Sequence, residues 1–311
     1  MQALLARRFM TTAIDDSSRL KHSTLLTLSL VLILIWGSAY TMVGVGVDHI
    51  TPIWLVTYRL VLGAVLVTIY AYRKGLKFPK LADIRWRWYF VLGMTGSVIP
   101  FFLLATGQLN VDSGITAIIV GVMPLMTIVL AHFFTNERLN AKKLLGFVIG
   151  FLGIVVLFLP DNFSLELVSN WKGPLLNVIA AFCYAITTII AKRAPETPSS
   201  IGAAMMLICS VPVAVIAGVM TGIPTQMPSM IGIWMAIGLG VGSTAIATIL
   251  YLHVIQETGP STIAKINYFV PLASVVCGVW LLGEAFTWRM VISFAVIVLG
   301  VMISRRGEGK K

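Results

Sequence analysis

The hexapeptide "PLMTIV" at residues 124–129 returns as "PLASVV" at residues 271–276, and that echo decides how the rest of the chain is read. At the same offset of 147 residues Ala117 meets Ala264, Glu137 meets Glu284, and Leu152-Gly153 meets Leu299-Gly300. One further residue of shift brings "WG" at Trp36 onto "YA" at Tyr184. Self-similarity at a fixed period marks a chain built from copies of one unit. The units run over 25–160 and 173–304, between an N-terminal tail, 1–24, and a basic C-terminal tail, 305–311.

The copies are written in residues that suit a bilayer. Of the 311 residues, 58% are hydrophobic and 11% charged, and the mean hydropathy is +0.93. A helix crossing a hydrocarbon core of about 30 Å needs roughly 20 mostly apolar residues. Ten such windows occur: 25–45, 54–72, 88–106, 114–134, 144–159, 175–190, 201–220, 230–254, 262–282 and 291–304. The expected fold class is an all-α integral membrane protein with ten transmembrane helices in two five-helix repeats. Five is odd, so a second copy that follows the first must run the opposite way through the membrane. Inverted repeats of this kind are the architecture of secondary transporters, with a site near the midplane.

Charge sets the expected orientation. Arg7, Arg8, Arg19 and Lys21 precede the first window, and Arg73, Lys74, Lys77, Lys80, Arg85 and Arg87 separate the second from the third. Arg138, Lys142, Lys143, Lys192, Arg193, Arg305, Arg306, Lys310 and Lys311 fall on the same side, against Lys172 and Arg289 on the other. Basic loops stay inside, so both termini are expected in the cytoplasm and the chain in the inner, or plasma, membrane. The tail with Asp15 and Asp16 lacks the apolar core of a secretory signal; an organellar presequence is the alternative to a cytoplasmic tail. Seven of the 8 tryptophans lie near window ends, at the headgroup level such side chains prefer; Trp36 lies within a window.

The quoted residues also carry a resemblance. "WGSAY" from Trp36, "TPIWLVTYRLVLGA" from Thr51, "GVMPLMTIVLAHFFTNERLNAKKLLGFVIGFLGIVVL" from Gly121 and "FVPLASVVCGVWLLGEAFTWRMVISFAVIVLGV" from Phe269 resemble the two EamA repeats of the drug/metabolite transporter superfamily. The resemblance covers residues 25 to 304 and implies a transporter whose relatives export amino acids, metabolites or drugs. Lys265 stands where such relatives are usually uncharged.

Ionisable groups inside a spanning helix are functional candidates, because each costs at least about 2.5 kcal/mol to insert. Arg59 and Lys265 fall within windows. Arg59 has the alternative of anchoring its helix to backbone carbonyls, and Lys265 that of reaching the interface along its aliphatic stem. Trp36, Ser38, Tyr40, Tyr184, Asn267 and Tyr268 supply hydrogen bonds and stacking faces, so the expected substrate cavity is lined by these six with Arg59 and Lys265. Pro124 and Pro271, at equivalent points of two helices, are the candidate hinges, with simple kinking as the alternative. Asp112, Glu137, Glu257 and Glu284 sit at window ends, where capping explains them. His132 and His253 read as interfacial, and Cys183, Cys209 and Cys277 as core residues. Gly146 with Gly150, and Gly238 with Gly242, permit close helix contact.

No nucleophile motif, phosphate loop or metal-ligand spacing is present in the sequence, so no enzyme, cofactor or metal is expected. The partners expected are a small-molecule substrate and the lipid bilayer, with a second copy of the chain as a candidate and no nucleic acid. The expected function is alternating-access export of an amino acid or related metabolite. An organic-anion or phosphorylated-metabolite exchanger is the second reading, and a membrane enzyme or scaffold the reading from another class.

Overall fold

The computed structural model describes residues 22–111, 116, 119–158, 171–282 and 287–306. The two tails, Asp112, Ala117 and Glu284 lie largely or wholly outside them. Among the described residues the secondary structure is helical, with no strand. The first repeat carries α1 (His22–Val47), α2 (Pro52–Arg73), α3 (Arg85–Gly107), α4 (Met123–Phe134) and α5 (Ala141–Phe158). The second carries α6 (Lys172–Arg193), α7 (Ser199–Thr221), α8 (Met230–Thr258), α9 (Pro260–Leu282) and α10 (Trp288–Arg306). Of these, α1, α2, α3, α6, α7 and α8 are long and apolar enough to cross a membrane; α4 and Val291–Ser304 within α10 are shorter apolar helices.

Local chemistry sets the ends. Pro52 occupies the first turn of α2, where its missing N–H costs nothing. Ser229 caps α8, its hydroxyl accepting from the Gly232 N–H at 3.2 Å. Gly222 at φ 111° and Gly259 at φ 86° end α7 and α8 in backbone that a side chain would strain. In the α2–α3 connection Asp83 accepts from Arg85 Nε and Nη2 at 3.0 and 2.7 Å, and these bonds hold the Asp83 carboxyl down to about 2.

Contacts at the helix ends sort them into two sides. On one side, Trp54 at the start of α2 donates to the Gly222 carbonyl after α7 at 2.9 Å. Gly232 near the start of α8 packs on Ile50, beyond the end of α1, and Gly107 at the end of α3 packs on Asn177 and Gly173 of α6. On the other side, Lys192 at the end of α6 donates to the Gln256 carbonyl near the end of α8 at 2.6 Å. Tyr89, early in α3, lies against Gly202, early in α7. Glu137, after α4, accepts from the Ser261 N–H in the first turn of α9 at 3.3 Å, a carboxylate capping a helix N-terminus. Thus α1 points towards the side from which α6 departs: the repeats are inverted.

The helix pairing obeys a pseudo-two-fold. Exchanging the repeats maps α1 packed on α9 onto α6 packed on α4, and α3 on α6 onto α8 on α1. The pairs α2 with α7 and α5 with α10 map onto themselves and therefore straddle the pseudo-axis. The α5–α10 crossing is backbone on backbone: a Cβ built at Gly146 would lie 2.5 Å from the Gly300 carbonyl oxygen, and one at Gly153 3.2 Å from that of Ser293. Gly150 meets instead the Tyr268 ring, Gly238 the Met42 thioether and Gly242 the Ile35 side chain.

Both α3 and α8 contain a π-helical segment, Met94–Val98 in one and Leu239–Ile246 in the other. An offset of 147 residues carries the first into the second. Such widened turns concentrate at functional sites. The helix-breaking expected of the two prolines is unequal: Pro271 lies inside α9, whereas Pro124 is in the first turn of α4, just after a turn at Gly121–Val122. Pro124 therefore starts a helix and does not remove a bond from a helix interior, which corrects the expectation of matched mid-helix breaks.

Candidate functional site

A cavity of about 140 Å³ lies where α1 to α4 meet α6 to α9, while α5 and α10 contribute nothing to its wall. Since a single water takes about 10–15 Å³, the space suits a small organic solute. From α1 come Trp36, Ala39, Tyr40 and Val43, spaced as one helical face. From α3 come Gly96, Phe101 and Leu104, with Gln108 just past its end. The second repeat gives Tyr184, Thr187 and Thr188 on α6, Ser243, Ala247, Thr248 and Tyr251 on α8, and Ile263, Asn267 and Val270 on α9. Aromatic pairs stand on corresponding helices: Trp36 of α1 with Tyr251 of α8 at 6.1 Å between ring centres, and Tyr184 of α6 with Phe101 of α3 at 6.5 Å.

Arg59 is the cation of this wall, at 5% exposure. Its Nε donates to Thr244 Oγ1 at 3.0 Å and its Nη2 to Ser243 Oγ at 2.8 Å, both in the π segment of α8. The guanidinium carbon stands 3.8 Å over the Phe101 ring. Gly63, one turn on from Arg59, allows this approach: a Cβ there would lie 2.6 Å from the Thr244 methyl. Hydrogen bonds from a charged donor, worth about 1.5–3 kcal/mol each, offset an insertion penalty of about 2.5–3.5 kcal/mol. Neither hydroxyl neutralises the charge, and among the described residues no carboxylate pairs with Arg59. At the pseudo-symmetric place on α7, Met206 packs over Gly96 in the π segment of α3. The positive charge therefore belongs to one half of the cavity, the half that carries Arg59 and not Met206.

Five of the eight residues expected to line a cavity are brought together: Trp36, Tyr40, Arg59, Tyr184 and Asn267. The other three are not on its wall. At about 100° per residue, Ser38 points away from the Trp36–Tyr40 face, and its hydroxyl donates to its own helix at Ile35 O, 3.1 Å. Lys265 is likewise about 200° round α9 from Ile263 and sits half-buried on the opposite face from Asn267. Tyr268 is 1% exposed, packed against Phe147 and Gly150 of α5, with its hydroxyl donating to the Phe147 carbonyl at 2.6 Å. Lys265, Asn267 and Tyr268, spread over more than half a turn of α9, cannot share one wall. His132 and His253 do not reach the cavity; His132 Nδ1 accepts from the Leu139 N–H at 3.3 Å in the α4–α5 turn.

Sequence reasoning passed over Phe101, Ser243, Thr244, Tyr251 and Gln108. Serines and threonines usually bond back to their own helix, as Ser243 also does to Leu239 O at 3.1 Å, so nothing in the sequence set this pair apart. The amide of Asn267, a residue of the wall, is oriented by such a bond: Nδ2 donates to Ile263 O at 2.9 Å, which leaves Oδ1 as its acceptor. Among the described residues no group of three or more His, Cys, Asp or Glu side chains could hold a metal.

Known proteins share this build. A crystal structure 17% identical in sequence superposes with a TM-score of 0.77 over 92% of this chain and 99% of its own, which shows the fold. The uncharacterised inner membrane transporter YedA of Escherichia coli K12 is 26% identical across 89% of each chain. An uncharacterised transporter of Archaeoglobus fulgidus is 24% identical over 86% of this chain and 94% of its own. The uncharacterised transporter YoaV of Bacillus subtilis is 24% identical over 87% and 93%. Residues 24–159 and 171–306 each match the EamA-like transporter family. The inverted repeats, the cavity between them and these two matches together place the chain in the EamA-like transporter family, as a membrane transporter.

Proposed function

We propose that the protein exports a zwitterionic amino acid or a closely related carboxylate by alternating access. On this reading all ten helices cross the inner membrane and both termini are cytoplasmic. The observation that carries the substrate class is Arg59, a buried guanidinium on the cavity wall without a carboxylate partner among the described residues. A carboxylate entering beside Phe101 meets the three N–H groups that Ser243 and Thr244 leave unused, in a setting too apolar to screen the charge. The Asn267 Oδ1 acceptor and the faces of Trp36 and Tyr184 suit an ammonium group. A phosphorylated metabolite fits less well, because Lys265 lies off the wall and leaves Arg59 to meet a polyanion alone. The outward direction is what the family resemblance implies.

Proteoliposomes of known orientation, loaded with a mixture of amino acids, monocarboxylates and lipophilic cations, test this reading. Exchange of amino acids or monocarboxylates supports it, and movement of cations alone overturns it. Accumulation of the same solute outside cells that overproduce the protein checks the direction.

A further inference from the structure

Gln108 follows α3 directly and lies on the same helical face as Phe101 and Leu104, at intervals of three and four residues. It belongs to the cavity wall, yet its amide is buried with neither Oε1 nor Nε2 partnered among the described residues. The oxygen is turned towards Gly44 of α1, where a Cβ would stand 3.3 Å away. A buried carboxamide without partners is destabilising, and among the described residues neither of its polar atoms has one. The position one offset of 147 residues later is Ile255, fully buried and apolar, so the fold does not itself require an amide there.

The first repeat thus brings to the wall Arg59, held over Phe101, and Gln108, seven residues beyond Phe101 and just past the end of α3. Seven residues at about 1.5 Å each put the backbones of Phe101 and Gln108 on the order of 10 Å apart along the helix axis. A small solute held at Arg59 therefore has Gln108 about two helical turns away along the wall. Tyr40, Tyr184 and Leu104 line the same cavity. Turning the flexible Gln108 side chain into the cavity would exchange an unpaired amide for a paired one whenever the solute carries a neutral hydrogen-bonding group at that distance. A second charge there would have no counter-charge, and a purely apolar end would leave the amide unpaired.

We propose, building on the amino-acid reading above, that Gln108 is a specificity residue selecting amino acids whose side chain ends in a hydroxyl or carboxamide. Transport in proteoliposomes of threonine against valine, and of asparagine against leucine, reads this directly, because each pair is close in shape and differs in hydrogen bonding. The wild type prefers the polar member by about tenfold or more, as sites built to hydrogen-bond a substrate reject analogues that lack the group. Gln108→Leu and the near-isosteric Gln108→Met bring the ratio close to one, with a melting temperature equal to or above that of the wild type. That pairing separates a substrate contact from a structural role, since a structural amide would lower the melting temperature. Wild-type protein without the preference, or variants that keep it, overturn the assignment while leaving the amino-acid reading intact. Failure of the wild type to move any of the four overturns both.

Discussion

At the residue scale the arginine and its symmetry mate make opposite demands. Met206 shows that the fold accepts an apolar side chain where the pseudo-two-fold repeats Arg59, and buried charges replaced by fitting hydrophobes are often neutral or stabilising. Arg59→Met is therefore expected to unfold within about 1 kcal/mol of the wild type, or later, in a thermal or denaturant assay in detergent. Its transport of carboxylate solutes should fall by about a hundredfold or more, equivalent to about 2.7 kcal/mol. Arg59→Lys, which keeps the charge but not the planar fork, should recover part of it. Loss of the folded protein in Arg59→Met with transport retained in Arg59→Lys at full rate would make Arg59 an anchor and nothing more. Arg59 was legible in the sequence because a charge in an apolar run is conspicuous. Ser38, Lys265 and Tyr268 were misplaced because proximity in sequence is not proximity on a helix: Lys265 and Tyr268 stand well round α9 from Asn267. Gln108 was missed because a glutamine at a helix end carries no such alarm, and only the missing partners distinguish it.

At the element scale the structure turns on close crossings and widened turns. Gly146 and Gly300 bring α5 and α10 together backbone to backbone, so an added side chain has rigid atoms and not a flexible neighbour to displace. Gly146→Val or Gly300→Val should cost at least about 3 kcal/mol, the upper end for overpacking. Gly150→Ala, which meets only the edge of the Tyr268 ring at 3.3 Å, should cost about 1 kcal/mol. Unfolding midpoints of the three variants decide it; equal effects would mean that the crossing is looser than described. The glycine spacing on α5 was readable in advance, but its partner was not, because α10 presents Ser293, Ile297 and Ser304 beside Gly300. The π segments were unreadable for a related reason. A widened turn has no residue signature comparable to proline, and "MTGSV" and "LGVGSTAI" look like ordinary small-residue packing. The prolines mark unlike places: Pro124 follows the turn at 121–122 that separates helical residues 119–120 from α4, and Pro271 lies inside α9.

At the scale of the whole molecule, duplication was legible from "PLMTIV" and "PLASVV" and inversion from an odd count, while the pairing of helices needed three dimensions. The antiparallel arrangement and the orientation in the membrane are separate claims with separate consequences. Trp54 bonded to Gly222, and Ile50 packed on Gly232, tie the α1–α2, α7–α8 and neighbouring ends to one side. Lys192 bonded to Gln256, and Glu137 capping α9, tie the α6–α7, α8–α9 and α4–α5 connections to the other. Reporters of sidedness placed at residues 222–227 and 48–51 must therefore agree with each other and disagree with reporters at 74–84 and 194–198. Basic residues are concentrated at 73–87 and at 192–193, so the latter pair should report cytoplasm, as should a fusion after Lys311. A complete reversal of sign would overturn only the charge-based orientation and leave the inverted repeats standing. Disagreement within either group would contradict the contacts themselves, and with them the shared cavity that both repeats are needed to build.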